Sequence, residues 1–233
     1  MEMKTLFLLP ILLLSLLSTS CWGVTIDDLN KRGDIYYKKF TDTPFTGKVS
    51  GQEQGKMRDG IKEGAWVSYH GSNGELFIKE SYKNGKKEGE WISYHDNGQI
   101  SKKGSWKDGD PEGEWVHYHD NGQLWMKNSR KNGKKEGEWV EHYDNGQLES
   151  KSSYKNGEEE GEWVEHYDNG QLESKGSYKN GEKHGEWVRY WSNGQLSHKG
   201  SFNYGLKEGD WVYYFEDGQE SLHGDIESTE TCS

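Results

Sequence analysis

Residues 138–151 read EWVEHYDNGQLESK, and residues 162–175 repeat them letter for letter. In the second copy Trp163, Glu165 and Tyr167 share one parity, while Val164 and His166 share the other. Side chains of a strand point alternately to opposite faces, so this period of two is strand periodicity and not the 3.6 of a helix. Asp168-Asn169-Gly170 follows, and Asn-Gly after a strand predicts a type I′ hairpin turn. Beyond it Leu172, Ser174, Gly176 and Tyr178 share a parity, and Lys179-Asn180-Gly181 supplies a second turn into the next copy. Each copy is therefore a β-hairpin, and consecutive hairpins predict an antiparallel meander.

The pattern extends outward in both directions. Trp66, Trp91, Trp115, Trp139, Trp163, Trp187 and Trp211 are spaced by 25, 24, 24, 24, 24 and 24 residues. The single 25 reflects HGSNG at 70–74, where the next copy has HDNG at 95–98. Such a fixed period is the mark of a repeat architecture. The expected fold is all-β, an elongated antiparallel ribbon of stacked β-hairpin repeats with a 24-residue period. At about 4.8 Å per strand, seven two-stranded units give a ribbon roughly 65–70 Å long. Seven copies, the last incomplete, cover residues 60–222. Residues 24–59 hold a divergent capping repeat around Phe45-Thr46-Gly47-Lys48-Val49, and residues 223–233 form a polar tail.

Counting from each unit's Trp, and allowing for the extra residue in the first copy, position +9 holds Leu76, Ile100, Leu124, Leu148, Leu172 and Leu196. Position +15 holds Tyr82, Trp106, Arg130, Tyr154, Tyr178 and Phe202. The Trp column and the +9 column form the expected repeat core. Flat rings reach from one unit to the next where Ala or Val would not, and Arg130 stacks in their place. A small residue at +13 (Gly104, Ser152, Gly176, Gly200) leaves room for a ring. The expected hairpin turns are Asn97-Gly98, Asn121-Gly122, Asn145-Gly146, Asn169-Gly170 and Asn193-Gly194.

Composition sets the limits on function. The chain is 30% hydrophobic and 30% charged, with 31 Gly, 11 Trp and net charge -11. A mean hydropathy of -1.14 with that charge would ordinarily mean disorder, but disordered chains are poor in aromatics. The acidic balance excludes a basic footprint for nucleic acid and disfavours anionic lipid headgroups.

Lys4 precedes the apolar run Leu6–Leu17, followed by Ser18-Thr19-Ser20-Cys21. This pattern predicts a signal peptide over residues 1–23, with cleavage before Cys21 or after Gly23. Pro10 and the short run argue against a permanent membrane helix. Cys21 also sits as in a bacterial lipoprotein lipobox, with Ser18 where Leu is usual, so lipidation of Cys21 stands beside plain export. The expected location is periplasmic or secreted, or envelope-anchored through that lipid. Cys232 is then a lone thiol, and an elongated fold would keep it from Cys21.

The Gly-Glu-Trp-Val starts, Tyr-Asp-Asn-Gly-Gln-Leu turns and Tyr-Lys-Asn-Gly ends resemble the MORN-repeat family, in the bacterial variant of YwqK-like antitoxin-type proteins. That resemblance implies stacked hairpins serving as an interaction surface, with no catalytic residues and no cofactor. The antitoxin label implies neutralising a partner by binding it.

No constellation of reactive groups competes with this reading. His142 and His166 recur at +3 and His70, His95 and His119 at +4, but equivalent positions lie about 10 Å apart, too far to share a zinc ion. His117 and His119 share one strand face and could grip a metal only weakly. Tyr94, Tyr143 and Trp191 stand at these positions in other units, which makes ring shape the expected common property. Glu141 and Glu165, and the run Glu158-Glu159-Glu160, read as a solvated face, since acid–base work needs a pocket that shifts a pKa. Asp-Asn-Gly lacks the further acids of a calcium loop, and no Gly-Lys-Ser/Thr element opens a helix. The expected function is a non-enzymatic, exported scaffold for a protein partner. The alternative is cell-envelope glycan or peptidoglycan binding through aromatic rows. Edge-to-edge self-association stays open because a ribbon has strand edges.

Overall fold

The computed structural model describes residues 23–71 and 74–226, with side chains to residue 221. The expected signal peptide, Cys21 and Cys232 lie outside the described residues. The chain forms a meander in which strands pair antiparallel with their sequence neighbours from Gly47–Ser50 to Glu220–Ile226. At the start, Val24–Thr25 pairs in parallel with Gly47–Ser50, and Leu29–Arg32 forms a small separate hairpin with Ile35–Lys38. The one helical turn among the described residues is the 3-10 turn Ile26–Asp28. Residues 223–226, expected as tail, are strand: Glu220–Ile226 pairs with Leu206–Tyr214 and completes the last hairpin.

The unit at Trp163 shows how the local sequence produces this. Gly161–His166 pairs with Leu172–Lys179, setting Trp163 opposite Gly176 and Glu165 opposite Ser174. The turn between them corrects the type I′ expectation. Gly170 N–H donates to Tyr167 O at 2.9 Å and Tyr167 N–H to Gln171 O at 2.9 Å. Positive φ occurs only at Gly170 (82°), so the loop is a type I turn closed by a left-handed glycine, with a register shift in the strands beside it. The type I′ turn lies at the other end of the unit. There Asn180 (φ 52°) and Gly181 (φ 80°) join the paired residues Lys179 and Glu182. Asn169 keeps a negative φ because its side chain is engaged: Oδ1 accepts the Gln171 N–H at 2.9 Å, an Asx turn.

A single sheet has no second layer, so burial comes from contact between units. Trp66, Trp115, Trp187 and Trp211 are 2%, 3%, 5% and 1% exposed. Each lies over a glycine of the preceding strand: a Cβ on Gly55, Gly104, Gly176 or Gly200 would meet the indole at 2.2–2.3 Å. Where that strand offers Glu80, Asn128 or Ser152 instead, the next indole is less covered. Trp139 is 8% exposed, and Trp91 and Trp163 are only half-buried. The small residue at +13 therefore seats the Trp of the following unit. The +9 residues, Leu76 to Leu196, are all half-buried, since nothing covers them from above.

The N-terminal segment covers the first indole. Leu29, Phe45, Val49 and Met57 cluster with Trp66, joined by Val24, Ile26, Tyr36 and Tyr82. Val49 sits opposite Gly55 as each Trp sits opposite its own +13 residue.

Gly176→Ala should destabilise the protein by about 1–3 kcal/mol, because the new methyl displaces a packed indole rather than a flexible chain. Urea unfolding of the variant against wild type measures it.

Candidate functional site

Three repeating interactions consume the polar groups along the two long edges of the ribbon. On the type I turn edge, the +6 Asn side chain of each unit donates to the backbone of the next turn. Asn97, Asn121, Asn145, Asn169 and Asn193 reach the carbonyls of Asp120, Asp144, Asp168, Ser192 and Glu216 at 2.7–3.0 Å. In the five units from Trp91 to Trp187 the +4 ring does the same. His95 and His119 Nε2, Tyr143 and Tyr167 Oη and Trp191 Nε1 reach the carbonyls of Tyr118, His142, His166, Tyr190 and Tyr214 at 2.7–3.1 Å. Ring shape is thus not the shared property; a donor at the ring tip is. The unit of Trp211 carries Phe215 and Asp217 at these positions, whose side chains do not donate.

On the other edge, in the first five units, the Glu three residues before the Trp accepts from a later turn. Glu63, Glu88, Glu112, Glu136 and Glu160 take the N–H of Asn84, Asp108, Asn132, Asn156 and Asn180 at 2.8–2.9 Å. Each of these turn residues has positive φ, and the carboxylate secures the strained amide. Glu160, expected as solvated charge, is therefore structural.

The two faces differ. One carries the Val or Ile after each Trp and exposed ion pairs such as Lys127–Glu114 (2.7 Å) and Lys151–Glu138 (2.6 Å), which add little stability. The other carries the Trp column and, beside it, the +2 row: Ser68, Ser93, His117, Glu141, Glu165, Arg189 and Tyr213. Strand pairing sets these against the +11 residues, as Glu165 against Ser174 and Arg189 against His198. Shallow grooves open along this face, one of about 330 Å³ bounded by Trp163, Glu165, Trp187, Arg189 and Trp211.

Charge is segregated along the face. Near Trp115, burial and then the charges of Lys102 and Arg130 push His117 down to about 4. Lys102 is itself lowered, by burial and then by Arg130. In the middle, Glu141 and Glu165 are raised, chiefly by burial and then by Glu149 and Glu173 respectively. Toward the C-terminal end, burial and then Arg189, Lys207 and Lys183 lower His198. Arg189 reaches back to Glu173 at 2.6 Å.

His142 and His166 contribute backbone carbonyls to the edge ladder, and His70 Nε2 lies 3.2 Å from Asp96. Among the described residues no three His, Cys, Asp or Glu side chains are grouped to hold a metal ion.

A meander of one-layer hairpins tied turn to turn along its edges, with its most variable row on one face, is a repeat protein of the scaffold type. Residues 87–204 belong to the MORN repeat variant family, whose model matches at 87–108, 111–132, 135–156, 159–180 and 183–204. MORN repeats are generally used as binding scaffolds and are usually non-catalytic. The units of Trp66 and Trp211 fall outside the matched stretches; one carries the extra loop residue and the other the donor-less turn. No curated protein matches the chain. Among solved structures, a crystal structure of the GtfA/B complex bound to UDP and GlcNAc is similar, at 7% identity and a TM-score of 0.22. The match covers 66% of this chain but only 26% of that one, so the chain spans about a quarter of its length.

Two outcomes are expected. Tyr167→Phe should cost about 1 kcal/mol by leaving the Tyr190 carbonyl without its donor, measured by urea unfolding. His117 is held neutral in the fold, so the unfolded chain binds its proton first and stability falls as pH drops from 6.5 toward 4. His117→Gln should flatten the stability profile in that window, measured as Tm against pH.

Proposed function

We propose that the protein is an exported, non-catalytic scaffold that binds a partner protein along its Trp-bearing face, in the manner of an antitoxin or immunity protein. The observation that carries this reading is the contrast between two rows on the same face. The Trp column is identical in all seven units, whereas the +2 row beside it reads Ser, Ser, His, Glu, Glu, Arg, Tyr. A purely structural position would repeat with the framework. A row that changes from unit to unit while holding one register is how a repeat array writes a specific surface on a uniform frame. The segregated basic, acidic and basic stretches fit a partner of complementary charge pattern.

Binding of envelope glycans would need ring faces free to stack on sugars. Most column indoles instead have their faces occupied by neighbouring rings and lysine side chains, as with Trp187 between Tyr178, Phe202 and Lys183. The structure therefore favours the protein partner over the glycan alternative.

Affinity purification from the native envelope fraction tests this, with Arg189→Glu as the comparison. One stoichiometric protein lost from the variant is the expected result. Recovery of cell-wall fragments alone, or equal capture by both forms, would reject the reading.

A further inference from the structure

The Trp column is also a cation–π column, and it has one vacancy. Lys62, Lys87, Lys135, Lys183 and Lys207 each stand four residues before a Trp. Their Nζ atoms lie 4.3, 5.6, 4.2, 4.1 and 4.3 Å from the ring centroids of Trp66, Trp91, Trp139, Trp187 and Trp211. At Trp115, where Pro111 takes that position, Lys102 covers the ring from 4.8 Å. At Trp163 the position is Glu159, and no cation lies over this ring among the described residues. The lysine is not merely missing: Lys-Lys-Glu has become Glu158-Glu159-Glu160, with a reversal of charge.

The slot that would hold the cation is kept. Lys135 Nζ sits 4.2 Å from both Trp139 and Tyr154. In the units of Trp66 and Trp187 the ammonium lies beside ring pairs 6.3 and 6.0 Å apart. The corresponding pair, Trp163 and Tyr178, is 6.4 Å apart in the same edge-on arrangement. Trp163 is half-buried where most other column indoles are buried; the Trp187 ring lies 5.4 Å from it at an interplanar angle of 34°, and part of the indole stays exposed. Glu159 is half-buried and accepts the Tyr154 hydroxyl at 3.3 Å, which leaves acceptor capacity on its carboxylate. Glu165 stands two residues beyond Trp163 on the same strand face. Both carboxylates act on the Tyr178 hydroxyl, which burial and then Glu159 raise.

We propose that the Trp163–Tyr178 slot, rimmed by Glu159 and Glu165, receives a lysine or arginine side chain of the partner protein. The partner thereby supplies the cation that the other units supply from their own chain. A cation there gains the indole face and an opposing carboxylate together, which the neighbouring slots do not offer to an incoming group because their own lysine fills them. The assignment rests on the partner-binding reading and narrows it to a basic contact at one unit.

The test titrates the full chain with acetyl-tetralysine amide, reading the indole N–H resonance of Trp163 and the stoichiometry by calorimetry. A saturable shift of that resonance with one peptide per chain is expected. Glu159→Lys restores the residue found in the sister units, so it should keep or raise Tm while weakening peptide binding at least tenfold. Lys135→Glu should open a second slot and raise the stoichiometry to two. Equal peptide binding by wild type and Glu159→Lys, or no movement of the Trp163 resonance, overturns the slot. If the envelope partner is still captured equally by wild type and Glu159→Lys, the slot falls while the scaffold reading stands. Peptide binding that obeys both variants supports the slot even where the envelope yields no partner.

Discussion

Everything in this ribbon depends on seating one indole per unit over the neighbouring strand. A single-layered sheet cannot bury its face against a second layer, so cohesion has to run along the array. An indole is wide enough to span to the next unit, but it lies flat only where the strand beneath lacks a bulky side chain. The four best-buried indoles, at 66, 115, 187 and 211, all rest on glycine. The arrangement is costly in backbone entropy, since glycine weakens a strand. The burial of a whole Trp side chain more than offsets it, on the order of 2–3 kcal/mol per ring.

Hydrogen-bond ladders complete the frame at its edges. A meander with polar turns on both long sides would fray if each hairpin closed only on itself. Here Asn and a ring donor tie each type I turn to the next one, and Glu ties successive type I′ turns. In the last described unit Phe215 and Asp217 stand in place of the two donors. At the opposite end Leu29, Phe45 and Val49 close over Trp66. With cohesion and edges accounted for, the residues left over are the +2 and +11 rows and the odd unit at Trp163. The frame has no use for their variation.

Much of this was legible in the sequence, and the misreadings have a common form. Period, strand content, the Trp column and the small residue at +13 follow from spacing alone. The type I′ expectation falls on the wrong turn because Asn-Gly occurs at both ends of units such as that of Trp163, and the dipeptide does not tell a two-residue loop from a longer one. In its local sequence Glu160 reads as surface charge and the +4 rings as interchangeable shapes. Their partners, Asn180 and the carbonyl 23 residues on, lie outside the local window in which such residues are judged. One signal was available: His, Tyr and Trp share a donor at +4, and only the final copy breaks the rule with Phe215.

By itself the sequence determined that the chain is a stack of β-hairpins with a 24-residue period, held by tryptophan. These follow from alternation, turn residues and repetition, which act over a few neighbouring residues. The tertiary structure alone decided which charges hold turns, which rings donate, how deeply each indole is seated and where a cation is missing from the column. Those properties depend on what the adjacent unit places a few ångströms away, and strand pairing, not chain proximity, sets that neighbour.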